Sequence, residues 1–194
     1  MERITLDELL KKDIDNKVIA FPTDTVYGVG CKINDFDAID KIYEMKERDH
    51  SKPLAILTST KDLADYVFLN DKAIKLMNKY WPGALTIIFK KKDKIDNIIT
   101  ANLDTVGFRM PNSKIALKIL DKFGMLCTTS VNKSGRAPLN DVEQIAMEFG
   151  DYIDYLVVDE ETKSNVSSTV VDCTCSSINI IRYGDIKLTE MEIL

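Results

Sequence analysis

Three groups of residues carry polar chemistry where packing alone gives them little purpose. Lys46, Arg48 and Lys52 crowd the end of a segment with an apolar helical stripe. Cations suit a helix C-terminus through its dipole, yet these three lie on different sides of any one helix. They converge only if the chain unwinds there and folds around an anion, for which Arg offers a planar fork and Lys a compact charge. Thr105 to Pro111 alternates as a strand and puts Thr105, Gly107 and Arg109 on one face. An arginine buried in such a strand needs an anionic partner: an Asp or Glu of the chain itself, or the carboxylate of a substrate. Thr128 to Gly135 gathers hydroxyls and one amide, with Ser130 and Asn132 among them, at the end of an apolar strand. That is a donor-rich edge for phosphate or nucleoside oxygens, or simply an Asn/Ser/Gly turn.

A fourth stretch, Phe21 to Gly30, sets Thr23, Asp24 and Thr25 between two apolar runs and follows them with Tyr27 between Val26 and Gly28. Strand–turn–strand and ligand-binding loop both fit it, and Gly28 and Gly30 permit close approach of another backbone or a ligand. The rest of the inventory narrows the chemistry. His50 is the single histidine, so a Ser-His-Asp or Cys-His site would have to use it, and no G-x-S-x-G elbow supports one. Cys31, Cys127, Cys173 and Cys175 match no zinc or disulfide framework and read as reduced, packed thiols. There is no G-x-x-x-x-G-K-[ST] loop and no G-x-G-x-x-G. A nucleotide would therefore be held by scattered cations and hydroxyls, and no metal site is expected in the chain itself.

The elements that must position these groups follow from periodicity. The 194 residues carry net charge −5, with 45% hydrophobic and 29% charged residues, the profile of a soluble globular domain. No apolar run approaches a membrane span and the N-terminus does not read as a secretory signal, so a cytoplasmic protein is expected. The acidic balance argues against bulk nucleic-acid binding, and Lys90 to Lys94 reads as a solvated hairpin loop. Helices are expected over Thr5–Asp15 (capped by Thr5 and Glu8), Asp35–Glu47, Ser59–Val67, Asp71–Tyr80, Ser113–Phe123 and Asp141–Phe149. Strands are expected over Val18–Phe21, Val26–Ile33, Pro53–Leu57, Ala84–Lys90, Thr105–Met110, Met125–Val131, Tyr152–Val158, Ser168–Cys173 and Ile178–Arg182. Trp81-Pro82-Gly83 reads as a helix stop. Without strict β-α alternation, the pattern predicts one α/β domain on a large mixed sheet. Its strand ends at Thr23–Thr25, Thr128–Asn132 and Ser168–Thr169 line one cleft if they share an edge or face.

Taken in order, Pro22-Thr23-Asp24-Thr25-Val26-Tyr27-Gly28, Lys46-x-Arg48-x-x-x-Lys52-Pro53-Leu54, Trp81-Pro82-Gly83, Thr105-x-x-x-Arg109-x-Pro111, Ser130-x-Asn132, Ser168-Thr169-Val170-Val171-Asp172 and Ile181-Arg182-x-Gly184 resemble the YrdC-type threonylcarbamoyl-AMP synthases. The resemblance covers about residues 4 to 186 and fits the short, single-domain branch, so residues 1–194 are expected to form one YrdC-like domain: a large twisted mixed sheet with flanking helices and a concave cleft. It implies that L-threonine, bicarbonate (or CO2) and ATP give L-threonylcarbamoyladenylate and pyrophosphate. Separate proteins then transfer the threonylcarbamoyl group to adenosine 37 of ANN-decoding tRNAs. By motif position, Thr25, Arg109, Thr128 and Ser168 would lie against threonine. Lys46, Arg48, Lys52, Thr105, Ser130, Asn132 and Arg182 would hold ATP, with Lys46 and Arg48 closest to the chemistry. Mg2+ would arrive on the phosphates. An RNA- or tRNA-binding module that makes no adenylate is the alternative, and carbamoyl transfer of the hydrogenase-maturation kind is disfavoured because the accompanying zinc-finger and acylphosphatase segments are absent. The loops Ser134–Asn140 and Glu160–Ser167 are candidates to close over the site.

Overall fold

Residues 1–161 and 163–189 are described by the structure, a computed structural model. In chain order the elements are β1 (Glu2–Ile4), α1 (Leu6–Leu9), β2 (Ile19–Phe21), β3 (Gly28–Lys32), α2 (Phe36–Met45), β4 (Ala55–Leu57), β5 (Val67–Phe68), α3 (Asp71–Tyr80), β6 (Leu85–Lys91), α4 (Asn97–Thr100), β7 (Thr105–Arg109), α5 (Lys114–Phe123), β8 (Leu126–Ser130), α6 (Val142–Phe149), β9 (Tyr155–Val157), β10 (Thr169–Asp172) and β11 (Asn179–Arg182). The strands form one mixed sheet in the order β1-β9-β2-β3-β8-β4-β7-β6-β10-β11, with β5 paired to β6. This is the large mixed α/β sheet that the sequence leads one to expect.

Residue alternation assigns the two faces. Val29, Cys31, Ile56, Cys127, Val106, Phe108, Ile87, Phe89 and Val171 point to one side, where α2, α3 and α6 bury them in the larger core. On the other side Ile19, Phe21, Leu57 and Leu126 pack under α1 and α5, which contribute Leu6, Leu9, Ile115, Ala116, Ile119 and Leu120. Neither α1 nor α5 reaches across the whole of this second face. The uncovered part is the floor of a cleft.

Departures from the sequence reading have local causes. Helix α1 is one turn, capped as expected by the Thr5–Glu8 box, because Asp13 Oδ1 then accepts from Asp15 N and Asn16 takes a left-handed φ of 55°. Residues Glu2–Ile4, outside every expected element, form β1 and pair with β9. The helix expected over Ser59–Val67 is absent. Thr58 Oγ1 accepts from Thr60 N and Thr60 Oγ1 from Asp62 N, and such side-chain turns compete with helix formation. Asp35 makes no cap bond to α2 and instead accepts from Asn16 N. Lys90 and Lys91 still belong to β6 and only Lys92 to Lys94 turn away, with Asp93 and Lys94 exposed; the lysines are nonetheless tethered, Lys91 to Ile95 O and Asn97, Lys92 to Ala64 O and Lys94 to Asp65. Three cysteines are buried, Cys175 is exposed, and all four are free thiols, with burial raising the pKa of Cys31, Cys127 and Cys173. Among the described residues no helix is long and apolar enough to cross a membrane.

Candidate functional site

The cleft exists because its floor is built from small residues. Across the sheet Gly30 pairs with Thr128, Thr128 with Ala55, Ala55 with Gly107 and Gly107 with Ile88. With little side chain standing above Thr128, Ala55 and Gly107, the uncovered face leaves a volume of about 710 Å³, within the range of small-molecule sites. All eleven residues singled out from the sequence line it: Thr25, Lys46, Arg48, Lys52, Thr105, Arg109, Thr128, Ser130, Asn132, Ser168 and Arg182. Lys46, Arg48, Lys52, Arg109, Arg136 and Arg182 supply the cations, and no carboxylate lines the cleft among the described residues. The cleft is thus cationic inside an acidic protein, which concentrates anions there.

Arg109 is fixed at one end. Its Nε donates to Gly83 O at 3.0 Å, Nη1 to Thr25 Oγ1 at 2.9 Å, and Nη2 pairs with Asp24. Burial works against its charge, and Asp24 opposes that loss. The anionic partner demanded by a buried arginine is therefore an aspartate of the chain, although other N–H groups remain on a fork that borders the cleft. Trp81-Pro82-Gly83 does more than stop α3: Gly83 N donates to Met110 O at 2.8 Å, which sets the Gly83 carbonyl against Arg109. Thr25 is set from below by Thr23, whose Oγ1 accepts from Thr25 N, lies 3.0 Å from Thr25 Oγ1 and donates to Val26 O.

The Lys46–Lys52 segment unwinds as its residue types require. Lys46 caps α2 and Glu47 takes a left-handed φ of 47°, which sends Lys46 inward and Arg48 elsewhere. Lys46 is 1% exposed. Its Nζ donates to Ser130 O, Asn132 O and Asn132 Oδ1. Burial, and then the charge of Arg48, pulls its pKa down to about 7, while three oxygen acceptors favour the ammonium. Arg48 donates from Nε to Lys52 O and from Nη2 to Pro53 O, which folds the segment around its guanidinium. The single histidine, His50, is exposed and stacks on Tyr43 at 4.4 Å. Ser130 donates to Asn132 Oδ1, and Asn132 Nδ2 donates to Lys133 O and Arg136 O.

On the far wall a β-bulge aims Arg182. Asp172 pairs with Asn179 and Val171 with Ile180, but Val170 pairs with Arg182, leaving Ile181 as the extra residue. Arg182 therefore shares the cleft face with Val170 and donates to Ser168 O and Ser168 Oγ, both at 3.0 Å. Burial and the charge of Arg48 lower its pKa, so the two guanidiniums sense one another across the opening. Ser168 Oγ also lies 2.9 Å from Thr86 Oγ1.

Thr23, Thr86, Ser134 and Arg136 also line the cleft but were not singled out as site residues. Thr86 had a signal, a hydroxyl alternating with Leu85 and Ile87, whereas Arg136 in a loop had none. The two loops expected to close are both docked onto the Asp24–Tyr27 segment. Asn140 Oδ1 accepts from Tyr27 N and its amide donates to Asn165. Ser164 N and Asn165 N donate to Asp24 O and Thr25 O. Tyr27 has its own hydroxyl on Val157 O, and burial pushes its pKa to about 12, so it does not exchange protons near neutrality.

Known proteins resemble the chain along most of its length. The Sua5/YciO/YrdC family model, described as telomere recombination, matches residues 13–184. The curated threonylcarbamoyl-AMP synthases of Pyrococcus abyssi and Bacillus subtilis are 33% and 36% identical over 92% of this chain and 53% of their own. The chain thus spans about half the length of those curated relatives. The crystal structure of P. abyssi Sua5 complexed with L-threonine superposes with a TM-score of 0.89 at 31% identity, covering 98% of this chain and 58% of that one.

Proposed function

The chain belongs to the Sua5/YciO/YrdC family, and we propose that it makes L-threonylcarbamoyladenylate and pyrophosphate from L-threonine, bicarbonate or CO2, and ATP. One observation carries the proposal. A fixed arginine fork with hydroxyls beside it, suited to an amino acid, shares one cleft with a separate arc of cations suited to a triphosphate. In this reading Arg109 takes the threonine carboxylate, and Thr25, Thr128 and Ser168 surround its polar groups. Arg48, Lys52 and Arg182 neutralise the phosphates, Thr105 contributes a hydroxyl on the floor, and Lys46, Ser130 and Asn132 hold the strand end that supports them.

The threonine nitrogen, as the neutral amine, bonds to the carbon of CO2, which bicarbonate yields with loss of hydroxide, and releases one proton to solvent, giving a carbamate. A carbamate oxygen then bonds to the α-phosphorus of ATP as the bond to the bridging α–β oxygen breaks, and pyrophosphate leaves with its electron pair. The nucleophile is already an anion, so this step requires no side-chain base. It requires alignment and charge neutralisation. Mg2+ enters as part of the ATP substrate, held by phosphate oxygens, since the lining offers cations and hydroxyls rather than carboxylates. The adenylate would pass to separate proteins that modify adenosine 37 of tRNA.

Pyrophosphate release that depends on both L-threonine and bicarbonate tests the proposal. We expect it in the wild type, reduced about a hundredfold or more in Arg48→Ala. Release that is equal without threonine removes the substrate assignment. No release, with RNA retarded on a gel at moderate salt, replaces the enzyme with an RNA-binding module.

A further inference from the structure

Ser134 Oγ is, among the described residues, the one buried side-chain polar atom with no hydrogen-bond partner. Buried hydroxyls in folded proteins are nearly always satisfied, so an orphan in a ligand-sized cleft is informative. Its backbone is held firmly: Ser134 N donates to Lys46 O at 2.8 Å, and Gly135 follows with a φ of +83° that turns the chain away. Nearby hydroxyl and amide donors are already committed. Ser130 donates to Asn132, Asn132 donates to Lys133 O and Arg136 O, and Lys46 spends three donors on Ser130 and Asn132. Ser134 is therefore the buried hydroxyl beside this strand end whose proton is unspent, and it borders the same cleft as Arg48 and Arg136.

We propose that Ser134 is a phosphate-binding residue, its hydroxyl donating to a phosphoryl oxygen of the bound nucleotide; this rests on the nucleotide reading above. A hydroxyl kept without a partner destabilises the free protein and is satisfied only when the ligand arrives. Ser134→Ala therefore has two opposite effects. The free protein should melt at the same temperature as wild type or above it. Affinity for Mg–ATP and for tripolyphosphate, measured by titration calorimetry, should fall about tenfold, in line with a hydrogen bond to a charged group. Adenosine affinity should not change.

If wild type binds both phosphate ligands and Ser134→Ala binds them within about threefold of wild type, the proposal fails and the nucleotide reading stands. If the free variant melts lower, the hydroxyl has a partner within the protein and the proposal again fails. If wild type binds neither Mg–ATP nor tripolyphosphate, the nucleotide reading falls and this proposal with it.

Discussion

Arg109 shows how far residue types alone carry an argument. Strand alternation places it on the cleft face and burial demands an anion, and both hold. What alternation could not supply is the identity of that anion, because Asp24 is remote in sequence from Arg109. The guanidinium reaches three acceptors at once, Gly83 O, Thr25 Oγ1 and Asp24. A lysine keeps the charge and the pairing with Asp24 but has no planar fork to span all three and still offer N–H groups to a ligand. Arg109→Lys should therefore raise the threonine concentration for half-maximal pyrophosphate release about tenfold or more, with the ATP dependence little changed. Equal loss for both substrates would place Arg109 in the general integrity of the cleft instead.

At the scale of elements, the strongly periodic segments were legible and the locally competed ones were not. Asp71–Tyr80 is helical as read, and β7, β8, β10 and β11 lie within a residue or two of their expected limits, since their apolar alternation is decided by burial. The Ile181 bulge was invisible, because a bulge is a property of pairing and not of one strand. The pairing of β1 with β9 was missed for the same reason, and its anchor is Asp154. Its carboxylate accepts from Val18 N at 2.9 Å, Lys17 and Lys41 approach at 3.4 Å, and its backbone bonds Glu2 and Val18. Burial raises its pKa, but the Val18 bond and the two lysines together prevail and hold it below the usual carboxylate value. A depressed folded-state pKa contributes stability that is complete above about pH 4 and is lost as pH falls through the folded value. Asp154→Asn should cost about 1–2 kcal/mol at pH 7 and flatten the acid limb of a stability–pH curve. An acid limb unchanged in the variant would assign it to other carboxylates.

For the molecule as a whole, the cleft is an omission made by composition: one face of a closely packed sheet is left uncovered and floored with Thr128, Ala55 and Gly107, with Gly30 next in the row beside Thr128. The positions of this row differ in what a larger side chain would meet. A Cβ on Gly30 would stand 2.5 Å from Cys127 O and 2.7 Å from Thr128 Oγ1, so the sheet itself must shift. Ala55 already carries a Cβ, half-buried at the centre of the row, and growth from it runs into the cleft rather than into backbone. Ala55→Leu therefore separates fold from function: its melting temperature should stay within a few degrees of wild type, because an apolar side chain is added over open space rather than into a packed core. Stabilisation by Mg–ATP or L-threonine should vanish, because the added isobutyl group occupies ligand volume. Gly30→Ala should do the reverse of a clean filling, melting well below wild type as a strained β3–β8 pair. If Ala55→Leu keeps full ligand-induced stabilisation, the ligands do not lie on this floor, and the site must be sought away from the row of small residues.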